Sequence, residues 1–421
     1  MAVYKQELIH SHSFKQSMAR DRANELKGYA QEFLDAKRSI DTGTSIQDEA
    51  RKIKARILNL FNATEEDWQN WRWQLKNRIR DAETLAKIIK LTRKETEQIN
   101  LVTKKFRWAI SPYYVSLMSL TDSWGPIRRQ SIPSILELQD DSNSDDPSAE
   151  EMSSPVDAVV RRYPDRLIIN TTNQCATFCR HCQRRRNIGR SDRRTSKDKL
   201  KEAIAYIKEN EEIRDVVITG GDPFMLPDNT IKWLLSELDK IEHVEIKRIG
   251  TRVLVTMPQR ITKELCDIIE KYPPIYINTQ FNHPREVTPD AAEACAKLIK
   301  AGAVISNQAV LLKGVNNNPH VIKVLSHELL KIRVRPYYLF QAKPVRGTSH
   351  FITPIKEGLD IIRSLRGYTS GLAIPEYVVS APDGLGKVAI SDINAWEAAD
   401  GEILLRTWEN KIVSYPYNGN T

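Results

Sequence analysis

With 421 residues the chain can bury a barrel-sized core and carry an additional domain, and an apolar content of 41% is that of a globular protein in water. No run of eighteen apolar residues occurs, and the opening MAVYKQELIHSHSFKQ lacks a signal peptide's apolar segment, so no membrane contact and a cytoplasmic location are expected. A net charge of +9 would suit nucleic acid, yet Lys and Arg are interleaved with Asp and Glu as on solvated helix faces, without an aromatic stacking platform or basic tail. Nucleic acid is therefore not an expected partner. The one basic run, Arg184-Arg185-Arg186, suits the carboxylates or phosphates of small molecules.

The first hundred or so residues read as helices. Leu26, Tyr29, Ala30, Phe33 and Leu34 recur at helical spacing, as do Ile46, Ala50, Ile53, Ile57 and Leu60. Trp68, Trp71 and Trp73 suit core or interface anchors better than a ligand cage. A helical N-terminal region over 1–138, covering one end of the fold or making a subunit contact, is expected, and no chemistry is legible in it. Residues 139–155, QDDSNSDDPSAEEMSSP, are acidic, rich in Ser and Pro and aperiodic, which predicts a linker or surface loop. From 156 to 395 short apolar runs alternate with amphipathic stretches such as 197–210 and 290–301. The predicted strands are 166–170, 215–219, 244–250, 275–281, 303–310 and 333–340, an α/β rhythm of parallel strands with crossover helices. In barrels of this kind chemistry sits at the C-terminal strand ends. Residues 396–421 read as a short C-terminal segment.

The clearest chemistry follows the first of those strands. In NQCATFCRHCQRRR, 173–186, Cys175, Cys179 and Cys182 form a C-x3-C-x2-C pattern and are three of only five cysteines. Three thiolates on one short loop can hold three corners of an iron–sulfur cube and leave the fourth iron open to a small molecule. Structural zinc wants a fourth ligand, usually from a second C-x2-C pair, which is absent. Disulfides would leave one thiol over. Cys266 and Cys295 fall in helical stretches and are expected to be buried structural thiols.

The cysteine spacing resembles that of the radical S-adenosylmethionine (SAM) superfamily. Further motifs narrow the resemblance to the lysine 2,3-aminomutase family: DWQNWRWQLKNRI from Asp67, RYPDR at 162–166, FNHP at 281–284, VRPYY at 334–338 and SAPDGLGK at 380–387. The resemblance implies a partial (β/α)6 radical SAM barrel with an N-terminal helical domain. It also implies a 4Fe–4S cluster on Cys175, Cys179 and Cys182 that chelates SAM and is reduced by an external donor of the flavodoxin or ferredoxin type. Gly220, Gly221 and Asp222 match the family motif that holds SAM's methionine amino group, although a Gly-Gly pair alone reads equally as a tight turn. Gln308, following Asn307, matches a polar position near SAM, and alone reads equally as strand-end hydrogen bonding. Lys387 falls where the family's lysine forms a Schiff base with pyridoxal 5′-phosphate (PLP); Arg162, Tyr163 and Arg166 fall where the family surrounds PLP and its phosphate. Taken alone, Lys387 is a surface lysine and RYPDR a capped, solvated turn. Arg184, two residues beyond the last cluster cysteine, matches the arginine that clamps the substrate's α-carboxylate.

Two departures sharpen the expectation. Where lysine enzymes place two aspartates around the distal ammonium group, this chain has Lys343 and Ser380. A cation there repels lysine and attracts a carboxylate, a pattern resembling glutamate 2,3-aminomutases. The expected reaction is therefore PLP-dependent interconversion of L-glutamate and β-glutamate. The alternatives are an aminomutase for another amino acid such as lysine, or a radical SAM enzyme that modifies RNA or protein without PLP. Second, clostridial-type lysine enzymes join zinc on C-terminal cysteines with a cysteine of another subunit; here the C-terminus has none and the partner position is Asn318, so zinc is not expected. A homo-oligomer, dimer or tetramer, is expected.

Overall fold

The computed structural model describes residues 12–140, 143–398 and 402–415; the first eleven residues, which begin the segment read for a signal peptide, lie outside them, as do the last six. The N-terminal helix α1 (His12–Lys37) carries apolar residues at helical spacing, but Leu26, Tyr29, Ala30 and Leu34 stay exposed and Phe33 alone of that set is buried. The expected apolar face is thus a single anchor: the Phe33 ring meets His327 at 5.6 Å and lies 4.0 Å from the Lys323 ammonium. In α2 (Gln47–Leu60) the periodic Ile53 and Ile57 are fully buried. Trp68 and Trp71 are core anchors as well, and the Arg260 guanidinium stacks 4.6 Å from the Trp71 ring. Arg285 donates to Glu49 of α2 at 2.8 Å, and one hydrophobic core runs through both the helical region and the sheet.

The sheet has nine strands in sequence order: β1 (Val159–Tyr163), β2 (Arg166–Asn170), β3 (Asp215–Thr219), β4 (Ile246–Gly250), β5 (Ile275–Thr279), β6 (Val304–Leu311), β7 (Arg335–Gln341), β8 (Glu376–Ser380) and β9 (Lys387–Ala389). β2 to β8 are parallel, and β1 and β9 add antiparallel at the two edges. The crossovers are α3 (Lys197–Glu209), α4 (Asp228–Asp239), α5 (Lys263–Lys271), α6 (Pro289–Lys300), α7 (Pro319–Lys331) and α8 (Ile355–Leu365). All six expected strands are present, and the architecture is a (β/α)6 half-barrel. Start signals in the sequence place several crossovers: Ser196, Thr262, Thr288 and Asn318 each cap the helix that follows, and Pro289 and Pro319 open theirs.

Strand alternation divides the sheet into two faces. Leu167, Ile169, Val216, Ile218 and Ile249 pack into the core with helix residues such as Leu200 and Ile204. The intervening Ile168, Val217 and Arg248 line an interior cavity. The sheet does not close, but it curls until its edges touch: Tyr163 of β1 accepts a hydrogen bond from the backbone N–H of Lys387 in β9 at 2.9 Å. RYPDR is therefore the hairpin between β1 and β2, set against the lysine loop across the seam.

The stretch predicted as a linker or surface loop is partly folded inward. Asp140 is buried and accepts from the N–H groups of Gly347, Thr348 and Ser349 at 2.9, 3.1 and 3.0 Å. Burial would raise its pKa, but these donors and the Asn143 amide hold it at about 2. Ser148 and Glu150 are buried too. Its described residues form no α-helix or strand, only the 3-10 turn Glu151–Ser153, and aperiodicity could not show that the acidic groups face arginines. The C-terminal segment forms a separate antiparallel sheet, β10 (Ala395–Glu397), β11 (Ile403–Arg406) and β12 (Ile412–Tyr415).

Candidate active site

A cavity of about 380 Å³ opens at the C-terminal ends of the parallel strands, and it is lined by all fourteen residues singled out from the sequence. The cysteine loop follows β2 and is pinned from the N-terminal region. Arg78 donates to the carbonyl of Cys175 at 2.6 Å, the N–H of Phe178 to Ala109 at 2.9 Å and the N–H of Arg180 to Gln130 at 2.8 Å. The Arg180 guanidinium is buried and donates to Glu137 at 2.9 Å. The helical region that seemed chemically silent in sequence is thus the clamp on the thiol loop. Arg252, after β4, donates from Nη1 to Cys179 Sγ at 2.8 Å and from Nη2 to Glu286 at 2.8 Å.

These thiols suit a metal cluster. Burial pushes the Cys175 thiol well up and that of Cys182 to about 11, so a multiply charged metal centre is what would stabilise thiolates here. Among the described residues no three His, Cys, Asp or Glu side chains converge closely enough for a single ion. Corners of an iron–sulfur cube lie further apart than that. Cys295 is fully buried as expected, whereas Cys266 is only partly so.

Beside the thiols, Gly220 has φ +124°, and a Cβ on it would lie 2.5 Å from the Thr172 carbonyl oxygen; one on Gly221 would lie 2.5 Å from that of Gln174. The glycine pair is required by close approach of two backbones, the β3 turn and the cysteine loop. Asp222 is buried and its carboxylate is engaged: it accepts from Thr251 Oγ1 at 2.7 Å and from the N–H groups of Arg252 and Phe224 at 2.8 and 3.1 Å. Asn307 is tied to the Phe281 backbone at 2.7 and 3.0 Å, while Gln308 lines the cavity.

Across the cavity, Lys387 pairs with Ser380 between β9 and β8, behind Gly384 and Gly386 at φ +77° and +96°. Its ammonium lies 4.8 Å from the Tyr338 ring and 5.1 Å from that of Phe340. Burial, then Arg248 and Arg166, lower its pKa to about 8 against the opposing Asp215 and Glu376. The residue is exposed, and it lines the cavity. Arg166 in turn stacks 4.0 Å from the Tyr163 ring.

The third group is cationic. Lys343, beyond β7, donates to Ser148 Oγ at 2.8 Å, and burial with Arg162 and Arg184 lowers its pKa to about 7. Arg184 donates from Nε to both oxygens of Glu150 at 3.0 and 3.1 Å. Arg162 Nε and His181 Nδ1 are buried without a hydrogen-bond partner, while Arg162 Nη2 lies 3.3 Å from Glu150. Such atoms await an acceptor or donor from a ligand. The basic run points inward: Arg185 pairs with Glu137, and Arg186 with Asp146 at 2.7 Å. Glu150, Ser148, Arg252 and Arg248 escaped the sequence reading. For Glu150 and Ser148 the one sequence signal is an acidic stretch matched in charge to the RRR run; Arg248 and Arg252 carry none.

Family models described as the radical SAM superfamily and as lysine-2,3-aminomutase match residues 169–323 and 362–421. The chain is 53% identical over 393 residues to glutamate 2,3-aminomutase of Clostridioides difficile (strain 630), covering 93% of each chain. It is 44% identical over 355 residues to the L-lysine 2,3-aminomutase of Fusobacterium nucleatum, covering 84% of each. A looser likeness, TM-score 0.37 at 16% identity over 52% of this chain and 59% of the other, is to Streptococcus suis SuiB bound to S-adenosylmethionine. This chain belongs to the lysine 2,3-aminomutase family of radical SAM enzymes. It is an aminomutase, an isomerase acting on a small molecule, and its family implies a 4Fe–4S cluster and SAM. No described helix is long and apolar enough to cross a membrane.

Proposed function

We propose that this aminomutase moves the amino group of glutamate between C2 and C3, using PLP together with the cluster and SAM. The observation that carries the substrate is Lys343: a half-buried lysine in a cavity that already contains Arg162 and Arg184, whose protonated form a bound carboxylate would favour. Lysine's distal ammonium would meet like charge there, at a cost of several kcal/mol. The relative named glutamate 2,3-aminomutase supports the same reading.

Cys175, Cys179 and Cys182 would hold the cluster; Gly220, Gly221, Asp222 and Gln308 would border SAM, with Asp222 acting by fixing the Arg252 loop. Arg162, Tyr163 and Arg166 would surround PLP and its phosphate, the Nε of Arg162, buried without a hydrogen-bond partner, being suited to a phosphate oxygen. When bound, the cluster and SAM supply one-electron hydrogen abstraction, and PLP supplies the aldehyde that carries the migrating nitrogen. Lys387, with its pKa lowered to about 8, holds a larger fraction of free amine near neutral pH than an ordinary lysine, and the Tyr338 and Phe340 rings flank its ammonium group. Arg184 would bind the α-carboxylate, and Lys343 with Ser380 the distal one. Held at both ends, the three-carbon span between the carboxylates fixes C2 and C3 in register with the reacting groups.

We propose further that 1–138 is a helical clamp, 156–395 the barrel core and 396–421 an accessory segment, in a homo-oligomer reduced by a flavodoxin- or ferredoxin-type donor. The test of function is anaerobic incubation of labelled glutamate with SAM, PLP and reductant, read by NMR. Label appearing in β-glutamate supports the proposal; turnover of lysine alone refutes its substrate.

A further inference from the structure

The acidic stretch places a carboxylate where the cations converge. Glu150 is only 6% exposed, unusual for a glutamate unless it is paired. It accepts from Arg184 Nε, and Nη2 of Arg162 and of Arg186 lie 3.3 and 3.6 Å from its oxygens. Arg186 has Asp146 as a nearer partner, which leaves Glu150 as the anion shared by Arg162 and Arg184. Two residues earlier, Ser148 accepts from Lys343. One loop therefore touches Arg162, Arg184 and Lys343, the three cations read above as holders of phosphate and carboxylates.

Which edge of Arg184 is used matters. A guanidinium presents its donors in a planar fork, and a carboxylate on Nε leaves the edge formed by the two Nη groups open to a second, bidentate carboxylate. Among the described residues the Arg184 side chain donates only from Nε, and it lines the cavity. We infer that Glu150 is a positioning residue for the substrate's carboxylates: it grips the rear of Arg184 so that the Nη edge faces the ligand, and it moderates the positive charge beside Lys343. This rests on Arg184 and Lys343 being the carboxylate holders.

The electrostatics around Lys343 agree in sign. Burial, Arg162, Arg184 and Lys387 lower its pKa, and Glu150 is the facing group that raises it. Removing Glu150 would lower it further, so Lys343 would lose its proton, and its hold on an anion, at lower pH. The competing possibility is that Glu150 merely occupies the substrate carboxylate's seat and must leave it. The two predict opposite signs.

Glutarate, a dicarboxylate without an amino group, separates them by calorimetry on the anaerobically reconstituted enzyme, with no turnover involved. Glu150→Gln should bind glutarate roughly tenfold more weakly than wild type, and its affinity should fade at lower pH as conditions are made alkaline. Glu150→Asp keeps the charge and should recover part of the loss; it also carries the test should the Gln variant lose its iron or its melting transition. Glu151→Gln, at a side chain 82% exposed, should bind as wild type does. Equal affinity in wild type and Glu150→Gln removes the inference alone, and tighter binding by the variant shows a placeholder instead. Wild type that does not bind glutarate removes the carboxylate reading and the inference with it.

Discussion

The two ends of the cavity are built in opposite ways. The thiol end is one contiguous loop, and the remainder of the protein serves to hold it: Arg78, Ala109, Gln130 and Glu137 grip it from the helical region, and the glycine turn presses on it from β3. The cation end is not one contiguous motif. Arg162 comes from β1, Arg184 from the cysteine loop, Lys343 from beyond β7, Ser380 from β8 and Glu150 from an aperiodic stretch. The difference teaches where change is tolerated. A cluster needs every ligand, so its loop is all or nothing, whereas charge selection is spread over positions that can be altered one at a time.

The comparison predicts its largest effects at the thiols. Cys175→Ala, Cys179→Ala or Cys182→Ala should abolish iron incorporation and SAM cleavage, while Cys266→Ala and Cys295→Ala retain both. Loss of iron from Cys266→Ala together with its retention in Cys179→Ala would break the assignment. Next in size is Lys387→Ala, which should remove the PLP absorption band and leave the iron–sulfur spectrum in place. Borohydride reduction followed by peptide mapping should label Lys387; label on another lysine contradicts the reading.

The clamp should show in stability. Glu137 is fully buried, and although burial favours its neutral form, Arg180 and Arg185 bring its pKa to about 2 from an ordinary 4.5. Its contribution is therefore present above about 4.5 and is lost as pH falls through about 2. Glu137→Gln should cost about 3 kcal/mol by leaving buried guanidinium groups unpaired, and should flatten the acid side of the melting profile. An unchanged Tm would show that the loop does not depend on the helical region. A smaller effect belongs to pH: uptake of PLP by the iron-loaded, PLP-free protein should quicken as pH rises and level off above about 8, as Lys387 loses its proton. A rate independent of pH between 6 and 9 would contradict a lysine nucleophile with the pKa near 8 that burial, Arg248 and Arg166 give it.

Legibility followed the same division. Six of the seven parallel strands and their crossovers were readable because alternating burial and helix caps are local signals, while β8 was not found. The cysteines were readable because ligand spacing is local too. Lys343 and Ser380 were found through a family pattern; the residues themselves, a lysine before proline and a serine at a strand end, carry no signal. Glu150 and Arg252 were not found at all. Each acts through partners far away in sequence, Glu150 on Arg184 and Arg252 on Cys179, and no periodicity encodes such a pairing. On α1 the periodicity misled in the other direction, since Leu26, Tyr29 and Leu34 keep helical spacing without burial.

The central claim is that a cation at position 343 selects a distal carboxylate. It is tested most directly by comparing glutamate and lysine turnover, under anaerobic conditions with all cofactors, in wild type, Lys343→Asp and Lys343→Asp with Ser380→Asp. Wild type should turn over glutamate and not lysine. Lys343→Asp should lose glutamate turnover by roughly a thousandfold, because two anions would then share a poorly hydrated site. The double variant should begin to accept lysine. Wild type that prefers lysine, or Lys343→Asp that keeps full glutamate activity, would contradict the account.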